Sequence, residues 1–316
     1  MKTSCRIAAL IAAIALAVGF SAAQPPQQAA KNSYRPAYSG DTAGGDSAPL
    51  LKDPPDFEAS NESTSPPEED QIGSTLDDAR TSAILFAGSL PNLICRQTTD
   101  RFEDLHGDGN WRHIDSIDES LSYVGNEESR TLLGGEANGR KISAADMQQF
   151  GMYSAGEFGD ALAGIFALSS KAEIEWKETG AIGSDPVEVF EYRVLRENSG
   201  FALRTDADEL LTAGYHGRIY IDRATHGVRS VTLMTDDLPK GFPIHRAAVR
   251  IDYDYVAIED LNYLLPVKAE VVMGYGKNKL KRNELRFSDF QRFGSTSRIL
   301  ASTPIEKSET KPETHQ

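Results

Sequence analysis

Between about residue 94 and residue 293 apolar and polar residues take turns at the two-residue period of half-buried strands. The segments lie near 94 to 102, 113 to 124, 128 to 133, 171 to 177, 187 to 195, 201 to 205, 215 to 222, 228 to 235, 248 to 258, 263 to 273 and 283 to 293. Turn residues separate them, as in Gly125-Asn126, "DRATHGV" and "IEDLN", and these links are too short for the helical crossover that a parallel pair requires. Two stretches follow the helical period instead. In "STLDDARTSAILFAGSLP", Ser74 and Asp77 form an acidic capping box, and Leu76, Ala79, Ala83, Phe86 and Leu90 share a face until Pro91 stops the run. In "YSAGEFGDALAGIFALSS", Ser154 and Glu157 form the box, with Phe158, Leu162 and Ile165 on one side. The pattern predicts an α+β chain dominated by antiparallel strands: a meander of sequence-adjacent hairpins with one N-terminal and one internal helix packed on it.

The clearest hairpin is "RIDYDYVAIEDLNYLLPVKAEVVM", residues 250 to 273. Strict alternation places Ile251, Tyr253, Tyr255 and Ala257 on one face, with Asp252 and Asp254 on the other. In the return strand Leu265, Val267, Ala269 and Val271 oppose Pro266, Lys268 and Glu270, and Leu285 and Phe287 extend the apolar face into the next strand. Cross-strand Asp and Lys pairs are possible on the wet side. Pro266 donates no ladder bond, so a bulge or an unpaired edge is expected there.

Composition adds limits. Lys2 and Arg6, the apolar run Ile7 to Phe20 and Ser21-Ala22-Ala23 read as a removed secretory signal over 1–23, since a bilayer span needs roughly 20 apolar residues. Residues 24–72 hold "QPPQQ", "KDPPD" and "TSPPEED" among serines and acids and read as a disordered tether. A single β-rich domain is expected over 73–300, and a polar, disordered tail over 301–316. With 33 basic and 47 acidic residues the net charge is −14, and removing Lys2 and Arg6 makes it −16. Such a chain repels phosphate backbones, so nucleic acid is not an expected partner. Outside the signal Cys95 is the one cysteine, so the fold rests on burial rather than a disulfide. No further apolar run is long enough to span a membrane, and an exported, periplasmic or secreted protein is expected.

The chain carries no His-Glu-x-x-His, Gly-x-Ser-x-Gly, Cys-x-x-Cys or phosphate-binding glycine loop. No catalytic residue, metal or cofactor is therefore assigned. "DLHGDGNWRHID" from Asp104 to Asp115 has part of a calcium-loop spacing, but His106 at the third position and Asp115 at the twelfth are poor choices for a hard cation. A polar glycine-rich turn fits it better. "KNKLKRNELR" is locally basic and reads as a hairpin tip and a lysine-protected strand.

"GRIYIDRATHGVRSVTLMT", the hairpin of residues 250 to 273 and "NELRFSDFQRF" together resemble the periplasmic lipoprotein-carrier family, the outer-membrane lipoprotein-sorting proteins, over about 201–293. The segments "LPN", "GEFG" and "YLLP" also look like exported proteins of unknown function. The carrier resemblance implies an incomplete barrel of antiparallel strands, closed by helices, that accepts acyl chains. It implies no catalysis, and no family ligand residue carries over by motif. The candidate lining is the apolar face itself: Ile251, Tyr253, Tyr255, Leu265, Val267, Val271, Leu285 and Phe287. Three readings follow. One is a carrier or binding module for a lipid or other apolar ligand. The second is a structural or protein-interaction component of the cell envelope, and the third an enzyme whose residues converge only in space.

Overall fold

The computed structural model describes residues 50–60, 67–89, 92–124, 127–137, 139–143, 152, 160–205 and 209–292. The expected signal, the first part of the tether, the Ser154–Glu157 capping box and the tail lie outside the described residues. In chain order the elements are β1 (Phe57–Ala59), α1 (Glu69–Ser89), β2 (Leu93–Asp104), β3 (Arg112–Val124), β4 (Glu127–Ala137), β5 (Arg140–Lys141) and α2 (Asp160–Phe166). They continue with β6 (Glu173–Ile182), β7 (Asp185–Val194), β8 (Ala202–Arg204), β9 (Leu210–Thr212) and β10 (Tyr215–Asp222). The last strands are β11 (Val228–Thr235), β12 (Ile244–Ile258), β13 (Leu261–Tyr275) and β14 (Lys279–Arg292).

Twelve strands form one open, curved sheet in the order β1-β6-β7-β10-β11-β12-β13-β14-β2-β3-β4-β5, and β8 and β9 form a separate hairpin. The expected mostly antiparallel, helix-covered and unclosed sheet is what the chain builds. The meander differs in two respects: the segment expected as a strand near 201 to 205 leaves the sheet to pair with β9, so that β7 pairs with β10, and the order of the units changes. The β2–β3–β4 unit does not precede β6 but lies beyond β14, with Leu285 opposite Thr99 and Arg282 opposite Phe102. Hairpin signals are local and state nothing about which unit joins which edge. In chain order α2 comes between β5, at one end of the sheet, and β6, next to the other.

Two N-terminal boundaries also shift. α1 begins at Glu69, not Ser74, because Pro67 and the acids Glu69 and Asp70 provide an earlier start that suits the helix dipole. Within the segment expected to be a tether, residues 50–60 pack on the sheet: Phe57 pairs with Ile182 and Ala59 with Gly180. Phe57 N–H donates to Pro54 O at 2.9 Å, so Pro55 takes the second position of a turn, where its fixed φ is an asset. Proline-rich composition marks entropy lost cheaply on ordering as much as it marks disorder.

One hydrophobic cluster runs through the inner sheet face and its helices, from Ala79 and Ala83 of α1 and Leu162, Ile165 and Phe166 of α2 to Ile219, Val231, Val249, Ile251 and Leu285. The "DRATHGV" corner holds as read, and Gly125-Asn126 lies outside the described residues. Asp222 Oδ1 accepts from Ala224 N at 2.9 Å and Thr225 N at 2.8 Å, which lets His226 take φ +54° ahead of Gly227.

Candidate functional site

The apolar face singled out in the sequence is internal. Ile251, Tyr253, Leu265, Val271, Leu285 and Phe287 are each at most 5 % exposed and share the cluster with the helix residues. Val267 and Tyr255 depart from the alternation. The β12–β13 register shifts between Asp252 and Tyr253, where Lys268 and then Pro266 are the partners, so Val267 is the extra residue of a bulge and is half-buried. This is the irregularity that Pro266 requires. Beyond it the inward positions of β12 change from Ile251 and Tyr253 to Val256 and Ile258, which leaves Tyr255 outside and 44 % exposed.

At the β2–β3–β14 end the same face turns polar. Arg101 and Asp115 are buried and joined by two bonds, Nε to Oδ1 at 2.7 Å and Nη2 to Oδ2 at 2.6 Å. Gln97 Nε2 donates to Glu119 at 3.2 Å, and Asn283 Nδ2 to Met152 O at 3.0 Å. Gln97, Arg101, Glu119, Met152 and Asn283 line a cavity of about 10 Å³, which admits nothing larger than a water molecule.

The other face of the sheet is open. A trough of about 2140 Å³ is lined by β6, β7 and β10 to β14, by residues 50–57 and by Trp111 of the β2–β3 loop. Its floor is two rows of residues in register. In one, Glu191, Arg218, Thr232, Arg250, Glu270 and Glu284 follow each other across the strands. In the other, Arg193 and His216 lead into the apolar strip Met234, Ala248 and Val272, which ends at Arg282.

Ion pairs bind the rows together. Arg250 Nη2 lies 3.0 Å from Glu270 Oε2, Arg282 Nη2 3.0 Å from Glu284, and Arg218 Nη2 3.3 Å from Glu191. Burial of Glu270 raises its pKa, outweighing the pull of Arg250 and Arg282. The Arg282 guanidinium also lies over Phe102 at 4.7 Å and Trp111 at 4.5 Å, which fixes its plane. The Nε atoms of Arg250 and Arg282 are buried and have no hydrogen-bond partner among the described residues. The pairs differ in exposure: the side chains of Arg250 and Glu270 are mostly buried, whereas Arg218 and Glu191 are more open and more strongly screened by solvent.

Reactive side chains are placed otherwise. The Cys95 thiol is buried, which pushes its pKa up to about 12 and keeps it protonated. His113, Ser116 and Asp100 meet on the outer face, but the Ser116 hydroxyl donates to Asp100, with His113 Nε2 3.2 Å from the same oxygen. Asp100 is further held by Arg286 and, although burial raises its pKa, the bonds from Ser116 and Arg286 bring it below the ordinary value. The histidine is not placed between hydroxyl and carboxylate, so this is not the wiring of a nucleophilic triad. His216 Nδ1 pairs with Asp236 at 2.9 Å, and His226 Nδ1 ties α1 to the β10–β11 turn through Asp78 at 2.7 Å. Asp104 accepts from the amides of His106, Gly107 and Gly109 at 3.0, 2.8 and 2.7 Å, so its oxygens serve the loop. Among the described residues no group of three His, Cys, Asp or Glu side chains has the geometry of a metal site. The basic cluster disperses: Lys281 is buried against the Tyr275 ring, Arg282 joins the trough and Arg286 pairs with Asp100.

The trough was not singled out in the sequence, where its residues read as the wet side of each strand. The available signal was their kind: arginines at 218, 250 and 282 recur on that side of a chain whose net charge is −14.

No protein-family model matches the chain, and no curated protein does. Among solved structures, the crystal structure of MucB in complex with MucA(peri) aligns with 69 % of this chain and 93 % of that one, at 10 % identity and a TM-score of 0.17. Likeness at that level carries no argument about activity. Among the described residues no helix is long and apolar enough to cross a membrane.

Proposed function

We propose that this is an exported, non-catalytic binding protein of the cell envelope that holds a segment of a partner protein on the open face of its sheet. The observation that carries this reading is the trough, whose floor is a row of arginines and carboxylates with the half-buried Met234 beside it and Ala248 and Val272 buried, while the opposite face is packed against the chain's own helices. An extended peptide presents alternate side chains to such a floor, charges to the row and an apolar group to Met234, and arginine forks fix carboxylates in both distance and plane. Binding of this kind needs no reactive group.

A photo-crosslinking residue at position 232, on the trough floor, is expected to capture a protein in the native envelope, whereas the same probe at position 120, on β3, is not. Arg250→Glu should weaken that capture at least tenfold, equivalent to about 1.4 kcal/mol. Absence of any protein adduct at 232 overturns the reading. The lipid-carrier reading keeps one observation in its favour: the apolar face behind α1 and α2 is continuous, so displacing the helices exposes a surface that gains roughly 0.8 kcal/mol per methylene buried. Lipid co-extracted with the native protein, together with no adduct at 232, decides for the carrier.

A further inference from the structure

At the β6–β7–β10 end of the open face there is a second, smaller apolar cluster, separate from the core. Val187, Val189 and Tyr220 are fully buried there, with Phe57 and Ile182 packed on them. Phe57 meets the Tyr220 ring edge-on at 5.0 Å. It fits because position 180 is glycine: a Cβ there would collide with the Phe57 ring and come within 2.7 Å of Glu58 O. Four residues earlier, Asp53 accepts from Tyr220 Oη at 2.6 Å and from Arg218 Nη1 at 3.3 Å. Between the two anchors Pro54 is buried in the turn, and beyond them Ser60 N–H donates to Thr179 O at 3.0 Å. A ring pocket, a hydroxyl-and-guanidinium seat for a carboxylate and a strand edge together specify a short extended ligand. Each element of that ligand comes from a segment of eleven residues, 50–60, that continues along the chain into residues outside the described set.

We propose that this socket is a recognition site for an extended partner segment bearing an acid and, four residues on, an aromatic ring, and that residues 53–57 are its resident occupant in cis. The inference rests on the open face being a binding surface, but it fails separately from that reading, because the crosslink at 232 tests the trough floor and not the socket. A resident segment competes through its high effective concentration, in the millimolar range for a short linker, so an external segment gains the site only when it binds better or when the strap is displaced.

The test is fluorescence anisotropy of a labelled peptide of residues 50–60 against the full chain. Asp53→Ala/Phe57→Ala vacates the socket and should bind the peptide saturably, at least tenfold tighter than wild type. Adding Gly180→Val to that variant should abolish binding. Equal binding to wild type and the double variant, no binding to a double variant whose circular dichroism is native, or survival of binding with Gly180→Val each overturn the proposal. Hydrogen exchange on wild type tests it without a variant. The Ser60 and Gly183 amides, bonded to Thr179 O and Asp56 O, should exchange at least about a hundredfold faster than the amides of β10. Equal protection means the strap opens only on global unfolding and overturns it. A concentration-dependent dimer that the double variant loses shows strap exchange between copies and overturns the assignment to a separate partner.

Discussion

At Asp104 a carboxylate that resembles a metal ligand in the sequence is consumed by its own loop. Burial pushes its pKa up, but the amides of His106, Gly109 and Gly107 more than offset this, and the net direction is down. A carboxyl whose folded pKa lies below its unfolded value contributes stability above the unfolded pKa of about 3.9 and loses it as the pH falls through the folded value. Asp104→Ala is therefore expected to cost about 2–3 kcal/mol at pH 7, with the difference from wild type shrinking below about pH 4. Urea midpoints at the two pH values check this. The same wiring predicts no change in melting temperature on adding calcium or chelator, and a rise of several degrees with calcium would show that the loop does take the ion. The residue type was legible in the sequence; the direction of its lone pairs was not, because three local amides decide it.

At the level of single elements, β12 shows what alternation conveys and where it stops. Ile251 and Tyr253 point inward as the pattern requires, but the bulge opposite Asp252 and Tyr253 hands the inward positions to Val256 and Ile258. Tyr253→Ala should then cost about 3–5 kcal/mol and Tyr255→Ala under about 1. Equal costs in chemical denaturation would mean that the face does not switch. Tyr253 Oη is buried without a hydrogen-bond partner among the described residues, so Tyr253→Phe is expected to be neutral or stabilising. Strand lengths and turns were readable because a period of two and an Asp or Gly at a corner act over a few residues. A one-residue bulge is set by how two strands twist against their neighbours, and of that only Pro266 gave notice.

For the whole molecule the telling contact is β14 against β2. It joins strands at opposite ends of the domain, with Arg286 and Asp100 separated by 186 positions in sequence. A single core crosses that seam, from Leu93 and Leu121 to Ile219 and Val249, so both halves of the sheet should unfold together. The two tryptophans sit in different halves, Trp111 beyond β2 and Trp176 on β6. Urea unfolding of Trp111→Phe and Trp176→Phe, each reporting the remaining indole, should give coincident midpoints. Separate midpoints would make the halves independent folding units. The choice between the two sheet faces belongs to this scale as well: a lipid carrier and a peptide binder share the same hairpins, and differ in which face the helices cover.

The sequence by itself determined the strand periods, the "DRATHGV" and "IEDLN" corners and the presence of two helical stretches, because each follows from free-energy differences local to a few residues. Only the tertiary structure decided that β2 follows β14, that Arg101 and Asp115 turn inward together, that the polar face is the open one, and that residues 53–57 lie in a notch left by Gly180. Those outcomes depend on surfaces brought together from distant parts of the chain, where shape, desolvation and charge are settled jointly. A pattern of polar and apolar letters records which face of a strand is wetter, and it takes the packed sheet to show that the wetter face is left open as a trough.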